Sequence, residues 1–183
     1  MKFLKSTPLF LILLFSCAEE VQEEPEIDLL DHWNQEVSSD MNATFAQEEN
    51  AEIDAFLERR PDWNMTETGT GLRYMVYYNS ESGDSAKVDD IAHVRFEISL
   101  LDGTICYTSE ENGSESFMVE KTDVESGLHE GIKFMKAGDK AKFILPSHMA
   151  HGLIGDTDKI PPLSTVIYDI ELIKVEKNES ENS

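Results

Sequence analysis

The last third of the chain contains the pattern that most limits its fold, a short helix followed by two apolar strands and the loop between them. Residues 127–152 read GLHEGIKFMKAGDKAKFILPSHMAHG, and residues 158–176 read DKIPPLSTVIYDIELIKVE. The two-residue period of a strand places four apolar side chains on one face of the second segment, namely Val166, Tyr168, Ile170 and Leu172. These segments predict a strand at 139–145, a compact loop, and a long final strand at 165–176.

The middle of the chain also alternates with the period of a strand. Between residues 91 and 101 one face carries Ala92, Val94, Phe96, Ile98 and Leu100. The Asp102-Gly103 pair that follows favours a tight turn, so the chain is expected to return as a second strand. The predicted elements of this region are strands at 72–78, 91–101, 104–108 and 116–119, with a loop at 109–114.

One short helix is predicted between residues 122 and 136. Thr122 with Glu125 has the spacing of a capping box, and Gly138 fits a C-terminal stop. The apolar face of this segment consists of Val124, Leu128, Ile132 and Met135. Gly127 and Gly131 weaken the helical tendency, because glycine is a poor helix former. Many strands around one helix predict an α+β domain, with an antiparallel sheet wrapped around that short helix.

The first residues have the order of a secretion signal. Lys2 and Lys5 precede an apolar run at 8–15 that is too short to span a bilayer, and Cys17 follows at the expected cleavage site. The sequence LFSC at 14–17 resembles a bacterial lipobox, in which the cysteine is lipidated. We therefore predict a lipoprotein signal peptide at 1–16 and a lipid anchor on Cys17. The alternative is an ordinary cleaved signal with an incidental cysteine.

The segment after this signal is strongly acidic. The whole chain has a net charge of −22, and residues 19–58 contain no Lys or Arg. Such a surface repels nucleic acid, so a nucleic-acid function is excluded. We predict a solvated acidic linker at 17–43.

A helix is predicted within residues 44–62, mainly over 45–59. Thr44 with Gln47 suggests its N-terminal cap, and Pro61 ends it. Its thin apolar stripe, formed by Phe45, Ile53, Phe56 and Leu57, favours packing on the domain over dimerisation. The remaining predicted boundaries are a domain at 63–176 and a disordered tail at 177–183.

Three blocks of the second half together resemble FKBP-type peptidyl-prolyl isomerases. They are LLDGTICYTS at 100–109, GLHEGIKFMKAGDKAKFILP at 127–146, and IPP with VIYDIEL within 160–172. The resemblance covers residues 71–176 and starts the short helix near Ser126. The preceding WNMTETGTGLRYMVYY at 63–78 resembles the lead-in of FKBP-type lipoproteins of Bacteroidetes, including the gliding-motility-associated kind.

The resemblance implies an apolar, aromatic bowl that holds a proline ring. Its implied lining residues are Phe96, Cys106, Val124, Leu128, Ile160 and Tyr168. The backbone N–H of Glu125 lies where the family places its carbonyl-binding donor. His151 lies where the family has a hydroxyl-bearing tyrosine, and Tyr107 lies where it often has an aspartate.

The chain also departs from the family pattern inside this implied site. Leu128 forms the floor where the best-known members carry tryptophan, and Cys106 replaces a phenylalanine wall. We assign catalysis to Phe96, Glu125, Leu128, His151 and Tyr168, and substrate binding to Cys106, Tyr107, Val124 and Ile160. No cofactor is implied. His148 and His151 lie three residues apart, but no third ligand is evident, so no metal site is predicted.

The resulting hypothesis is a lipid-anchored isomerase that rotates Xaa-Pro bonds of exported proteins in a bacterial envelope. Its anchor would face the periplasm or the cell surface, and its substrates would be proline-containing polypeptides. The replaced pocket walls motivate a second hypothesis, a non-catalytic chaperone or binding module. A third is an assembly factor that acts by contact within an envelope secretion or motility complex.

Overall fold

Seven strands form one antiparallel sheet in the computed structural model of the protein, which describes residues 35–178 and their side chains from residue 41. The elements are α1 (Gln35–Glu58), β1 (Thr66–Glu67), β2 (Arg73–Tyr78), β3 (Ile91–Leu100), β4 (Ile105–Thr108), α2 (Ser109–Asn112), β5 (Glu115–Met118), α3 (Ser126–Ile132), β6 (Lys140–Leu145), a 3-10 turn (Ser147–Met149) and β7 (Val166–Glu176). The fold below is that of the compact unit that begins at Met41.

The long strands β3 and β7 form the centre of the sheet. The strand order is β1-β2-β6-β7-β3-β4, and β5 pairs with the first half of β3. The ladder between β3 and β7 runs from Ile91 opposite Glu176 to Leu100 opposite Val166. Side chains of β3 are buried at every second position from Ala92 to Ile98, as the alternation predicts. The predicted α+β class with an antiparallel sheet around a short helix is therefore confirmed.

Helix α3 lies directly on the inner face of β6, and two glycines make this approach possible. A Cβ atom at Gly127 would lie 2.4 Å from the Leu145 side chain, and one at Gly131 would lie 2.7 Å from the Phe143 ring. Because the two glycines are four residues apart, they share one face of the helix. The sequence pattern treats them as helix-weakening residues, whereas in the fold they are the contact surface of the helix.

Helix α1 covers the opposite face of the same strands. Ile53 and Phe56 are buried against Ile144 of β6 and Ile167 of β7, which are paired across the two strands. Since side chains alternate along a strand, Ile144 points away from α3 while Phe143 and Leu145 point toward it. The structure therefore shows this helix packed on the domain, as predicted. Phe45, the first residue of the predicted stripe, remains exposed.

Polar contacts fix α1 to the domain as well. The Glu49 carboxylate accepts hydrogen bonds from the Ser147 N–H at 2.6 Å, the Ser147 hydroxyl at 3.0 Å and the Thr165 hydroxyl at 2.6 Å. The buried Arg73 guanidinium donates to Asn50 at 3.2 Å and to Asp54 at 3.1 Å. Groups buried in this way are stable only when they are paired, so these bonds fix the position of the helix.

The boundaries of three elements differ from those predicted. Helix α1 begins at Gln35, inside the predicted linker, so Thr44 lies within the helix and does not cap its start. A short helix, α2, occupies the predicted loop at 109–114, and the Thr108 side chain caps it by accepting from the Glu111 N–H. Helix α3 begins at Ser126, as the resemblance implies, but it ends at Ile132 rather than near Gly138.

Several predictions lie outside the described residues. These are the signal peptide at 1–16, the lipid site at Cys17, most of the acidic linker and most of the tail at 177–183. Within residues 35–178, no helix is both long and apolar enough to cross a membrane.

The contact between α3 and β6 predicts a strong effect of a single methyl group. Gly131→Ala is expected to lower the free energy of unfolding by about 1–3 kcal/mol, because the new Cβ overlaps the Phe143 ring. Chemical denaturation of the purified protein measures this change. Gly69→Ala is the matched control, since nothing lies within 4 Å of a Cβ there. Equal stability of the two variants would contradict this account of the helix position.

Candidate active site

A cavity of about 520 Å³ opens between the inner face of the sheet and the N-terminal end of α3. Helix α3 forms its floor, strands β3 and β7 form one wall, and the loop after the 3-10 turn forms another. The lining residues are Val94, Phe96, Ile98, Tyr107, Asn112, Glu115, Asp123, Val124, Glu125, Leu128, Ala150, His151, Asp156, Tyr168 and Ile170. This volume is within the range that encloses a small ligand or one peptide side chain.

The deep part of the cavity is apolar and largely aromatic. Phe96, Leu128 and Tyr168 are 9%, 6% and 3% exposed, respectively. The Phe96 and Tyr168 rings lie 6.4 Å apart between centroids and are tilted by 53°. Leu128 reaches the cavity because the glycines of α3 face β6 and leave this residue on another side of the helix. Leu128 and Tyr168 thus line the same cavity.

Glu125 stands at the mouth of the cavity, at the residue that precedes α3. Its backbone N–H has no hydrogen-bond acceptor within residues 35–178. Unpaired N–H groups are normal at the start of a helix, where they are available to a ligand. The Glu125 carboxylate pairs with His151, whose Nε2 lies 2.9 Å from Oε1 without the alignment of a hydrogen bond.

Two carboxylates and one phenol influence each other inside the cavity. Burial raises the pKa of Glu115, and the nearby charge of Glu125 raises it further. Burial also raises the pKa of Tyr168 well above its usual value, and the neighbouring Glu125 and Glu115 add to this effect. The Tyr168 hydroxyl therefore stays neutral at physiological pH and remains a hydrogen-bond donor.

The outer rim of the cavity is held by Tyr107 and Asp156. The Tyr107 hydroxyl donates a short hydrogen bond to the Asp156 carboxylate and faces Asp158 at 3.4 Å. Asp156 also accepts from the N–H groups of Asp158 and Ile160, both at 2.8 Å. Burial opposes the charge of Asp156, but these donors outweigh it and lower its pKa. Tyr107 thus ties β4 to the loop that closes the cavity.

Seven of the nine predicted site residues line this one cavity. They are Phe96, Tyr107, Val124, Glu125, Leu128, His151 and Tyr168. Cys106 and Ile160 are absent from the lining and are buried in the main core instead. The Cys106 thiol faces the carbonyl oxygens of Thr104 and Lys159, at 3.9 and 3.7 Å, so it points into the protein. Their role in substrate binding stays a prediction, and their side chains lie behind the surface of this cavity.

Sequence reasoning missed the acidic residues of the cavity, namely Glu115, Asp123 and Asp156. One signal for Glu115 exists in the sequence. It lies two residues before the buried Phe117, so strand alternation puts both side chains on one face, although Glu115 at the strand end is exposed. In the sheet, Glu115 is paired with Val94, another cavity residue.

The two histidines of the loop after β6 have separate partners. His148 Nε2 lies 3.1 Å from the Thr70 carbonyl oxygen, whereas His151 faces Glu125. No group of three or more His, Cys, Asp or Glu side chains among residues 35–178 is arranged to hold a metal ion.

Comparison with known proteins identifies the region around this cavity. Residues 83–173 match the family described as FKBP-type peptidyl-prolyl cis-trans isomerase. A Neisseria meningitidis protein named "Probable FKBP-type peptidyl-prolyl cis-trans isomerase FkpA" is 35% identical over 108 residues, which are 59% of this chain and 39% of that protein. FkpA of Escherichia coli K12 is 34% identical over 108 residues, again 59% of this chain and 39% of that protein. The chain thus spans about two fifths of these curated relatives.

Solved structures give the same result for the fold. The crystal structure of FkpA from Escherichia coli matches with a TM-score of 0.59 and 29% identity, over 80% of this chain and 70% of that one. A peptidyl-prolyl cis-trans isomerase from Pseudomonas syringae pv. tomato matches with a TM-score of 0.60 and 25% identity, over 70% of this chain and 92% of that one.

The hydrogen bond at the rim predicts an unusual titration of Tyr107. The bond to Asp156 comes first among the causes that raise the Tyr107 pKa to about 12 from its ordinary 10.0. Because the neutral phenol is favoured in the folded protein, the stabilisation is complete below pH 10.0 and disappears as the pH rises through about 12. The Cζ chemical shift of Tyr107, assigned with Tyr107→Phe, measures this titration. Asp156→Asn should return the midpoint toward 10.0, and an unchanged midpoint would contradict the assigned cause.

Proposed function

Since this chain belongs to the FKBP-type peptidyl-prolyl cis-trans isomerase family through residues 83–173, we propose that it catalyses rotation about Xaa-Pro bonds in the cavity described above. The observation that carries the proposal is the combination of buried apolar walls with an unpaired backbone donor at the mouth. Phe96, Leu128 and Tyr168 supply the walls, and Glu125 supplies the N–H.

The chemistry of this reaction needs neither a nucleophile nor a proton transfer. Rotation about a peptide bond breaks amide resonance and faces a barrier of about 18–20 kcal/mol. The tertiary amide formed by the proline ring makes the cis and trans forms of an Xaa-Pro bond close in energy, but their exchange still takes tens to hundreds of seconds. A catalyst must therefore bind the twisted imide better than the planar one.

The walls of this cavity are suited to that task. A twisted imide is less conjugated and less polar than a planar one, so a site poor in water favours it. The proline ring would contact Leu128 and the rings of Phe96 and Tyr168. The Glu125 N–H would donate to the carbonyl before the proline and hold it while the bond rotates.

Leucine at position 128 is the reason to consider a non-catalytic alternative. A leucine floor is apolar, but it offers less contact area than an aromatic ring. Such a site can bind a proline segment with little acceleration of its rotation. A chaperone or binding module is therefore the second candidate, and the same assay separates the two.

The test is an isomerisation assay of the full-length protein on an Xaa-Pro peptide. We expect kcat/KM to fall at least tenfold, about 1.4 kcal/mol, in Leu128→Lys and Tyr168→Ala, because the first places a charge in the floor and the second removes a wall. Leu128→Met is the matched control and should keep most of the activity, since it preserves volume and apolarity. Melting curves establish that each variant is folded.

The outcomes of this assay are exclusive. Wild-type acceleration that falls in the two damaging variants and survives in Leu128→Met supports the enzyme. No acceleration by the wild type, together with suppressed aggregation of an unfolded protein, supports the chaperone instead. Equal activity in all three variants would show that the reaction takes place elsewhere.

The proposed cellular setting is a bacterial envelope, where the protein would act on exported polypeptides from a lipid anchor. The order of Lys2 and Lys5, the apolar run at 8–15 and Cys17 supports the anchor. The segment at 63–78 supports the lipoprotein kind found in Bacteroidetes, including the gliding-motility-associated kind. In this proposal the anchored protein faces the periplasm or the cell surface, and its partners include an envelope secretion or motility complex.

The lipid anchor makes its own prediction. In cells fed a clickable fatty acid, the wild type should carry the label and sediment with membranes, whereas Cys17→Ser should lose both. Cys106→Ser is the matched control and should keep both, because that cysteine is buried in the domain. A labelled Cys17→Ser protein would place the modification on another residue and refute the assignment.

A further inference from the structure

The cavity is more acidic than isomerisation requires. Four carboxylates line it, those of Glu115, Asp123, Glu125 and Asp156, and no Lys or Arg is among its lining residues within the described part of the chain. Apolar walls are sufficient to favour a twisted imide, so the reaction does not explain these charges.

Two of the four carboxylates already have partners inside the protein. Asp156 accepts hydrogen bonds from Tyr107 and from two backbone N–H groups. Glu125 pairs with His151. These contacts hold the rim and the mouth of the cavity in place, so both residues have a structural role that needs no ligand.

Glu115 and Asp123 remain without a partner of opposite charge among residues 41–178. Both side chains are exposed at the edge of the cavity, so their charges are open to a ligand. Partial burial and the nearby charge of Glu125 raise the pKa of Glu115. An exposed carboxylate without a counter-ion keeps its negative charge in water and attracts a cationic group of a ligand. Glu115 lies on β5 opposite Val94, and both residues line the cavity, so its charge belongs to the proposed site.

We propose that this cavity selects proline segments with a Lys or Arg next to the proline, and that Glu115 is the residue that determines this specificity. The proposal rests on the isomerase function proposed above. A cation beside the proline would approach Glu115 and Asp123 and relieve the unpaired charge. An acidic residue at the same place would be repelled, so the site would favour cationic peptides and disfavour acidic ones.

The effect must be separated from the attraction of the whole molecule, whose net charge is −22. Such a field attracts any cationic peptide and acts over a distance of about one Debye length, which shrinks with salt. Glu97 supplies the matched control. It lies on β3 next to Phe96, but it is exposed on the outer face of the strand and does not line the cavity.

The experiment uses the full-length protein and peptides that differ only beside the proline, with Lys, norleucine or Glu there. Lysine and norleucine share the same aliphatic chain, so their ratio of kcat/KM reports the charge alone. We expect the Lys peptide to be about fivefold better than the norleucine peptide at low salt, from one partly screened charge pair. The Glu peptide should be the poorest of the three.

Glu115→Gln should bring the Lys-to-norleucine ratio close to one, whereas Glu97→Gln should leave it unchanged. Dissociation constants from NMR titration of the same peptides give a second measurement that does not depend on turnover. Added salt should reduce the wild-type ratio, which tests the electrostatic origin without any substitution. Melting curves verify that both variants remain folded.

The results separate this inference from the proposed function. Acceleration of all three peptides at equal rates would overturn the specificity and leave the isomerase proposal intact. A Lys preference that persists in Glu115→Gln, or that falls equally in Glu97→Gln, would assign it to the overall charge and overturn the role of Glu115. Neither acceleration nor binding of any peptide would overturn both proposals.

Discussion

The contact between α3 and β6 is the constraint on which the site depends. Gly127 and Gly131 bring the helix so close that an added Cβ would lie 2.4 Å from Leu145 or 2.7 Å from Phe143. This close approach leaves little freedom for the helix to rotate or slide, because packed interiors resist overlap. Leu128 is thereby directed to the cavity, and Glu125 is held at its mouth. The two glycines lower the stability of the helix itself, but they allow the close contact that fixes its position.

The back of the sheet contributes to the site as well. Helix α1 packs Ile53 and Phe56 on the outer face of β6 and β7, so both faces of these strands are covered. Its Glu49 accepts hydrogen bonds from Ser147, the first residue of the 3-10 turn, and from Thr165, just before β7. The loop between these two residues carries His151 and Asp156. A segment outside the matched family region therefore fixes both ends of the loop that closes the cavity.

Strand alternation predicted the sheet well, since half-buried strands such as β3 must alternate. The start of α3 came from family resemblance, because its glycines contradict helix propensity. The start of α1 at Gln35 could not be predicted from the sequence, because residues 35–43 have few apolar positions. The packing of the helix depends on tertiary contacts such as those of Glu49. The sequence could not show that Cys106 and Ile160 lie outside the cavity lining, because strand and loop patterns do not fix the direction of a side chain such as the Cys106 thiol.

The cavity combines two requirements that oppose each other. Its walls must be apolar to favour a twisted imide, yet the same low polarity makes each unpaired carboxylate costly. Glu125 and Asp156 resolve the conflict with partners of their own, His151 and Tyr107. Glu115 has no such partner, and burial raises its pKa. Its exposed charge at the edge of the cavity therefore favours a substrate that carries a cation beside the proline.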